Sequence, residues 1–135
     1  MKKTIKLIAL ALVLTLSVVM LASCFGPNAD PEKAAAKLKE NGYIVSHDES
    51  GLSAFFGGFD VKDVTDVVSA SAMMGTNYEH VTIIYFEDTE AANDAWEDVK
   101  EKAEKDDKKE DEDWVIKKFG SMIYYGTKAA IDAAK

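Results

Sequence analysis

Arginine is absent from this chain, cysteine occurs once and proline twice. Without arginine the chain lacks the planar, bidentate donor that recognises phosphate and guanine, and its formal net charge is −8. Nucleic acid is therefore a poor candidate partner, as is any other polyanion. A lone cysteine also excludes an intrachain disulfide, so a domain of this length must be held together by its hydrophobic core.

The N-terminus has the three-part layout of a secretory signal. Residues 1–6 form a short cationic segment, residues 7–21 carry no charge, and the small residues Ala22 and Ser23 follow. Fifteen apolar residues in a helix would span roughly 22 Å, less than the roughly 30 Å hydrocarbon core of a bilayer. Because the uncharged stretch continues to Ala29, an uncleaved anchor helix is the alternative.

Leu21-Ala22-Ser23-Cys24 resembles the lipobox of bacterial lipoproteins, in which a leucine and two small residues precede a cysteine. The resemblance covers residues 1–24 only. It implies cleavage between Ser23 and Cys24, with a diacylglyceryl group on the Cys24 thiol and often a further acyl chain on the new N-terminus. The chain's single cysteine stands where this reading requires it, and a thiolate is a good nucleophile for such a transfer.

The resemblance implies three parts: a signal peptide at 1–23, a lipidated N-terminus and linker at 24–29, and one domain at 30–135. Residues 24–135 would carry 13 lysines and 24 acidic residues, a net charge near −11. Two acyl chains anchor a protein stably, whereas one binds only marginally. We therefore expect a domain held at the cell membrane on its extracytoplasmic face, on a linker that spans roughly 17 Å when extended.

Local signals predict three helices in the domain. Asp30 followed by proline starts the first helix, and Asn41 followed by glycine ends it. Asp88 starts the second helix, which extends to about residue 105, and a short third helix follows at 128–134. The second helix has an apolar stripe at helical spacing, formed by Ala91, Ala92, Ala95, Trp96, Val99 and Ala103.

Strands are predicted at 43–47, 64–74, 80–86, 114–119 and 122–126. Residues 64–74 also fit helical spacing, but their valines and small hydroxyl residues favour a strand. Gly120-Ser121 has glycine in the first central position of a type II′ turn, which would pair Phe119 with Met122. The same register pairs Ile116 with Tyr125 and places one set of side chains on a common core face: Trp114, Ile116, Ile123 and Tyr125.

The element order α-β-β-β-α-β-β-α predicts an α+β fold, a small antiparallel sheet of about five strands with the helices packed on one face. The run at 106–113 consists of eight charged residues and is predicted to be a solvated loop. Residues 51–59 combine three aromatics with three glycines and are either a short strand with a bend or a loop.

Metal binding is not favoured by the histidines. His47 with Asp48 and Glu49, and His80 with Glu79, would form a zinc site only if their strands were neighbours. Histidines without ligand spacing are more often structural, and the acidic run lacks the glycine and alternating spacing of a calcium loop. No metal and no cofactor are therefore predicted.

Phe55, Phe56 and Phe59 form the most unusual cluster of the domain. Exposed together they would make an apolar patch that marks an interaction site, although large aromatics belong more often to a core.

Catalytic motifs are not found in the sequence. Ser46, Ser69 and Ser71 would need a base and an oxyanion hole that no motif marks. The protein is therefore predicted to be a non-catalytic binding module that is attached to the membrane by its lipid anchor. Its partner would be an envelope protein or a small ligand. The alternatives are a structural or surface-display protein and, third, a hydrolase of envelope polymers.

Overall fold

The computed structural model describes residues 26–50, 62–108 and 113–135, which form a five-stranded antiparallel sheet and three helices. In chain order the elements are α1 (Pro31–Glu40), β1 (Ile44–Asp48), β2 (Val64–Met74), β3 (Asn77–Phe86), α2 (Thr89–Asp106), β4 (Trp114–Phe119), β5 (Met122–Thr127) and α3 (Lys128–Ala133). The predicted α+β class and element order are confirmed. None of the helices in the described ranges has the length and apolar character needed to cross a membrane.

The strand order is β1-β2-β3-β5-β4, so β1 and β4 are the edges of the sheet. Residues 64–74 form strand β2, as predicted, and a tight turn joins it to β3. The hairpin of β4 and β5 has the predicted register, with Phe119 opposite Met122 and Ile116 opposite Tyr125. Gly120 has a φ of 58°, the left-handed conformation that the turn requires.

Side chains cap the two longer helices as the sequence indicated. The Asp30 carboxylate accepts a hydrogen bond from the backbone N–H of Glu32, at 3.0 Å, and α1 ends at Asn41. The Asp88 carboxylate accepts from the N–H of Ala91 at 2.8 Å. Each carboxylate satisfies a helical N–H that has no partner within the helix, and its charge complements the helix dipole.

The helices lie on both faces of the sheet, whereas the sequence suggested one. Consecutive residues of β3 are buried, from Ile83 to Phe86, and alternate side chains of a strand point to opposite faces. Ile83 and Tyr85 belong to one core, under α1 and α3, and Ile84 and Phe86 to the other, under α2. We call these sides the α1/α3 face and the α2 face.

Residues 26–28 are packed onto the α1/α3 face. Gly26 and Pro27 are buried, and the N–H of Asn28 donates to the carbonyl of Ala134 at 2.9 Å. The Tyr85 hydroxyl donates to the carbonyl of Asn28 at 2.7 Å. Burial, with a smaller contribution from nearby carboxylates, raises the pKa of Tyr85. The stretch expected to be an extended linker is therefore attached to the domain from Gly26 onward.

Candidate functional site

In the part of the chain that the structure describes, the α2 face is covered on one side only. Helix α2 packs on β3, β4 and β5, and within the described residues it makes no comparable packing on β1 or β2. The uncovered part, which we call the open face, holds a shallow groove of about 350 Å³. The side chains that β1, β2 and the start of β3 direct to this side include Ile44, Ser46, Ser69, Ser71, Met73, Tyr78, His80 and Thr82.

Three hydroxyl residues form a row across the middle of the open face. Ser46 of β1 lies opposite Ser69 of β2, which in turn lies opposite Thr82 of β3. Directly opposite residues on one face have Cβ atoms about 5 Å apart, so the hydroxyls form a continuous polar strip. Such a strip can donate and accept hydrogen bonds along a ligand laid across the strands.

Apolar side chains border this strip. Ile44 is 81% exposed, Met73 is 65% exposed and Tyr78 is 56% exposed. Met73 and Tyr78 lie directly opposite each other, and Ile44 belongs to the adjacent row with Ser71 and His80. Large apolar side chains exposed together on one face are characteristic of interaction sites.

A hydrogen-bonded network fixes His80 at the boundary between the open and covered parts. Its Nε2 lies 2.9 Å from Oδ2 of Asp107, which also accepts a hydrogen bond from the indole Nε1 of Trp114 at 2.6 Å. The Tyr78 ring stacks on the imidazole, with the ring centroids 5.4 Å apart. The network connects the exposed Tyr78 to the buried Trp114, so the His80 ring is held in one orientation.

The backbone of His80 is fixed as well. Its N–H donates to the hydroxyl of Thr127 at 3.2 Å, and that hydroxyl lies 3.3 Å from the His80 carbonyl, to which it can donate. Thr127 is the last residue of β5 and is buried. Its side chain therefore extends the β3–β5 pairing by one residue beyond the last backbone pair, Val81 with Gly126.

Under α2 the same face is apolar and closed. Tyr125 of β5 lies opposite Thr82 of β3, and its ring packs against the Trp114 ring with the centroids 6.2 Å apart. The pKa of Tyr125 is raised to about 12, mainly because the side chain is buried. Its hydrogen bond with Thr82 lowers the pKa, and the negative charges of Asp107 and Asp106 raise it. Tyr125 thus belongs to the core, whereas Tyr78 on the open face does not.

The two histidines do not form a common site. His47 lies on the α1/α3 face, where its Nε2 is 3.0 Å from Oδ1 of Asp66, and His80 lies on the opposite face two strands away. Within the described ranges no three histidine, cysteine or acidic side chains are placed to hold a metal ion. The zinc arrangement considered from the sequence is therefore not formed by His47 and His80.

Asp107 was missed as a site residue. The run at 106–113 was predicted to be a solvated loop, but α2 includes Asp106, and Asp107 is half-buried against His80 and Trp114. The sequence signal was the placement of Trp114 directly after the run, since a buried indole N–H needs an acceptor. Cys24, the bond after Ser23, and the aromatic cluster of Phe55, Phe56 and Phe59 lie outside the described residues.

The open face places Ser71 directly opposite His80. With Asp107 these are the residue types of a hydrolytic triad, which also needs donors for an oxyanion. Ser71 lies within β2 and is paired with both β1 and β3, so the nearby backbone N–H groups are engaged in the sheet. The backbone N–H groups beside Ser71 are therefore not placed to stabilise an oxyanion.

Comparisons with protein-family models, with curated proteins and with solved structures find no match to this chain.

Proposed function

We propose that this protein is a lipid-anchored lipoprotein of the bacterial envelope, whose domain binds a partner protein on the open face without catalysing a reaction. The observation that carries the binding role is the open face itself: exposed Ile44, Met73 and Tyr78 beside a strip of hydroxyls. The lipobox-like sequence ending at Cys24 supports the anchor.

The shape of the groove favours a macromolecule over a small ligand. Small-molecule sites bury most of the ligand in a concave pocket, whereas this groove is shallow and lies on a sheet. A protein surface can contact Ile44, Met73 and Tyr78 together and still reach the hydroxyls between them. Tyrosine is moreover enriched where protein interfaces concentrate their binding energy.

Charge beside the open face indicates which kind of protein surface would fit. Helix α2 carries seven acidic residues and three lysines, and Asp107 lines the groove. Complementary potentials speed association and disfavour wrong partners. We therefore expect the partner to present a basic rim around an apolar centre.

The anchor makes a modest interface sufficient. A tether confines the domain and a membrane-associated partner to the same thin layer, which raises the effective concentration of each for the other. An interface of small area would then give useful occupancy without high intrinsic affinity.

Site-specific photocrosslinking in cells tests the binding role. A photoreactive amino acid is introduced at Ile44 or Tyr78 on the open face and, as the control, at the exposed Ala36 of α1. We expect one crosslinked partner from both open-face positions, not from Ala36, and its loss when Met73→Asp is added. Equal products from all three positions, or none from the open face, would contradict a partner at this site.

Substitution of the cysteine tests the anchor. Cys24→Ser should abolish lipidation and leave the unprocessed precursor in the membrane fraction, because the thiolate accepts the lipid before cleavage. Mass spectrometry of the intact protein reads both events. A processed, unlipidated protein would refute the lipobox assignment.

The other two functions predict different results. A surface-display protein would give no position-dependent crosslink but would change envelope integrity or adhesion when deleted. A hydrolase would turn over an envelope polymer and lose that turnover on Ser71→Ala.

A further inference from the structure

The α1/α3 face carries a second cleft, of about 340 Å³, where β4, β5 and α3 meet. The residues that line it include Gly26, Lys117, Phe119, Tyr124, Lys128 and Lys135. Lys117 lies on β4, Lys128 begins α3, and Lys135 follows the end of α3; Phe119 beside them is 45% exposed. Lys118 also lines the cleft, but its ammonium group donates to Asn93 of α2. One acidic residue, Asp132, also lines the cleft and lies 2.9 Å from Lys135.

Lysine is concentrated in this part of an otherwise acidic chain. Residues 114–135 contain four lysines and one aspartate, a net charge of +3, whereas residues 24–113 contain nine lysines and 23 acidic residues, a net charge of −14. Helices α1 and α3 together carry four lysines and three acidic residues, whereas α2 carries three lysines and seven. The two faces therefore differ in the sign of their charge, which the net charge of the chain conceals.

The N-terminal segment reaches the domain at this cleft. Gly26 lies against the Tyr124 ring so closely that a Cβ at this position would be 2.6 Å from Cζ. Asn28 then holds the segment to Ala134 and Tyr85. Cys24 is two residues before Gly26, a distance of at most about 7 Å in an extended chain. An acyl chain on Cys24 would thus enter the bilayer directly beside the three lysines.

We propose that this lysine cleft is the membrane-facing surface of the domain and binds the phosphates of anionic phospholipid headgroups. The inference rests on the proposed anchor at Cys24. Lysine ammonium groups bind phosphate as point charges, and each lysine near an anionic surface favours the bound orientation about fivefold. Phe119, which is exposed beside these lysines, adds an apolar side chain that can insert at the boundary between headgroups and acyl chains.

This orientation directs the open face away from the bilayer. The lysine cleft and the open face lie on opposite faces of one sheet, so contact of the first with headgroups exposes the second to solvent. The acidic α2 would also be repelled from an anionic surface. Membrane binding and partner binding would then use different faces without competition.

A labelling experiment on the full, lipidated protein tests the orientation. Because lipidation consumes the thiol of Cys24, one introduced cysteine takes a fluorescent label: Ala129→Cys on α3, or Thr89→Cys at the start of α2. Each labelled protein is reconstituted into vesicles of phosphatidylcholine alone or mixed equally with phosphatidylglycerol. Quenching by neutral acrylamide then measures how accessible each label is to water.

Two triple variants with equal loss of charge provide the matched comparison. The cleft variant replaces Lys117, Lys128 and Lys135 with glutamine, and the control replaces Lys100, Lys102 and Lys105 of α2. We expect anionic vesicles to reduce quenching at Ala129 severalfold but not at Thr89, and the cleft variant alone to lose this protection. High salt should weaken it, because exposed charges are screened within about 3 Å at 1 M.

The outcomes separate this inference from the proposed anchor. A lipidated protein whose Ala129 label is equally accessible in both kinds of vesicle, or whose protection is lost equally in both triple variants, would overturn the membrane-facing cleft alone. A mature protein that lacks the mass of the lipid would overturn the anchor and, with it, this inference. Protection at Ala129 that depends on both anionic lipid and the cleft lysines would support it.

Discussion

The two faces of the sheet differ in how much of them is covered. Among the described residues, two helices and residues 26–28 close the α1/α3 face, whereas a single helix covers the α2 face and leaves the β1–β2 side open. Strand β2 shows the difference within a few residues: Val68 and Ala70 point into the closed core, and Ser69 and Ser71 point to the open face. Within residues 26–50, 62–108 and 113–135, stability thus comes from one face and the covered half of the other, and no helix packs on the remaining half.

The largest effect should come from truncating the closed core. Leu38 is fully buried under the α1/α3 face, so Leu38→Ala should lower the free energy of unfolding by about 3 kcal/mol through lost burial and the cavity left behind. Met73→Ala removes a side chain of similar size from the open face and should cost less than about 0.5 kcal/mol. Denaturant unfolding measures both, and losses of similar size would mean that the open face is covered in solution.

A smaller effect should distinguish the covered half of the α2 face from its open half. Tyr125 has a pKa of about 12 against an ordinary value near 10, so the folded state keeps a proton that the unfolded state releases. The contribution of Tyr125 to stability should be constant below pH 10 and should fall by about 2 kcal/mol as the pH rises through 12.

Tyr125→Phe should reduce the fall in stability at high pH, which thermal unfolding at a series of pH values would show. Tyr85, Tyr43 and Tyr124, whose pKa values burial also raises, would account for the dependence that remains. Tyr78→Phe on the open face is the control and should leave the wild-type fall in place. A pH profile unchanged by Tyr125→Phe would mean that water reaches this tyrosine beneath α2.

The smallest effect should come from a position that belongs to neither core. A Cβ at Gly120 would meet nothing within 4 Å, so a substitution there tests backbone conformation alone. Gly120→Val should cost about 1–2 kcal/mol, because a β-branched residue is strained at a φ of 58°. Gly120→Asn, which tolerates this conformation better, should cost less. Equal melting temperatures for the wild type and Gly120→Val would refute the strained turn.

Local chemistry made most of the elements predictable. Caps at Asp30 and Asp88 and the glycine turn at Gly120 act within a few residues of chain, so their signals could be read directly. The choice between helix and strand for residues 64–74 was correct because β-branched residues and a following turn agreed.

The packing between elements that are distant in the chain was harder to predict from the sequence. The unbroken apolar runs of β3 and β5 did indicate helices on both faces of the sheet. In a strand that is covered on one side only, apolar and polar residues alternate instead. The open face needed the register of three strands before Ser46, Ser69 and Thr82 became neighbours. Asp107 was hidden because charge runs are usually solvated, and only the fold brings it to His80.

The edges of the sheet affect how densely copies of this protein could be packed on a membrane surface under the proposed anchoring. Strand β1 has only five residues, and β4 ends in Lys117, Lys118 and an exposed Phe119. Proteins crowded in two dimensions collide repeatedly, and exposed strand edges are where such collisions become aggregates. Two copies that approached along β4 would bring their lysines together, and a five-residue edge offers little backbone to pair with. The domain is therefore suited to a high surface density without strand-to-strand self-association.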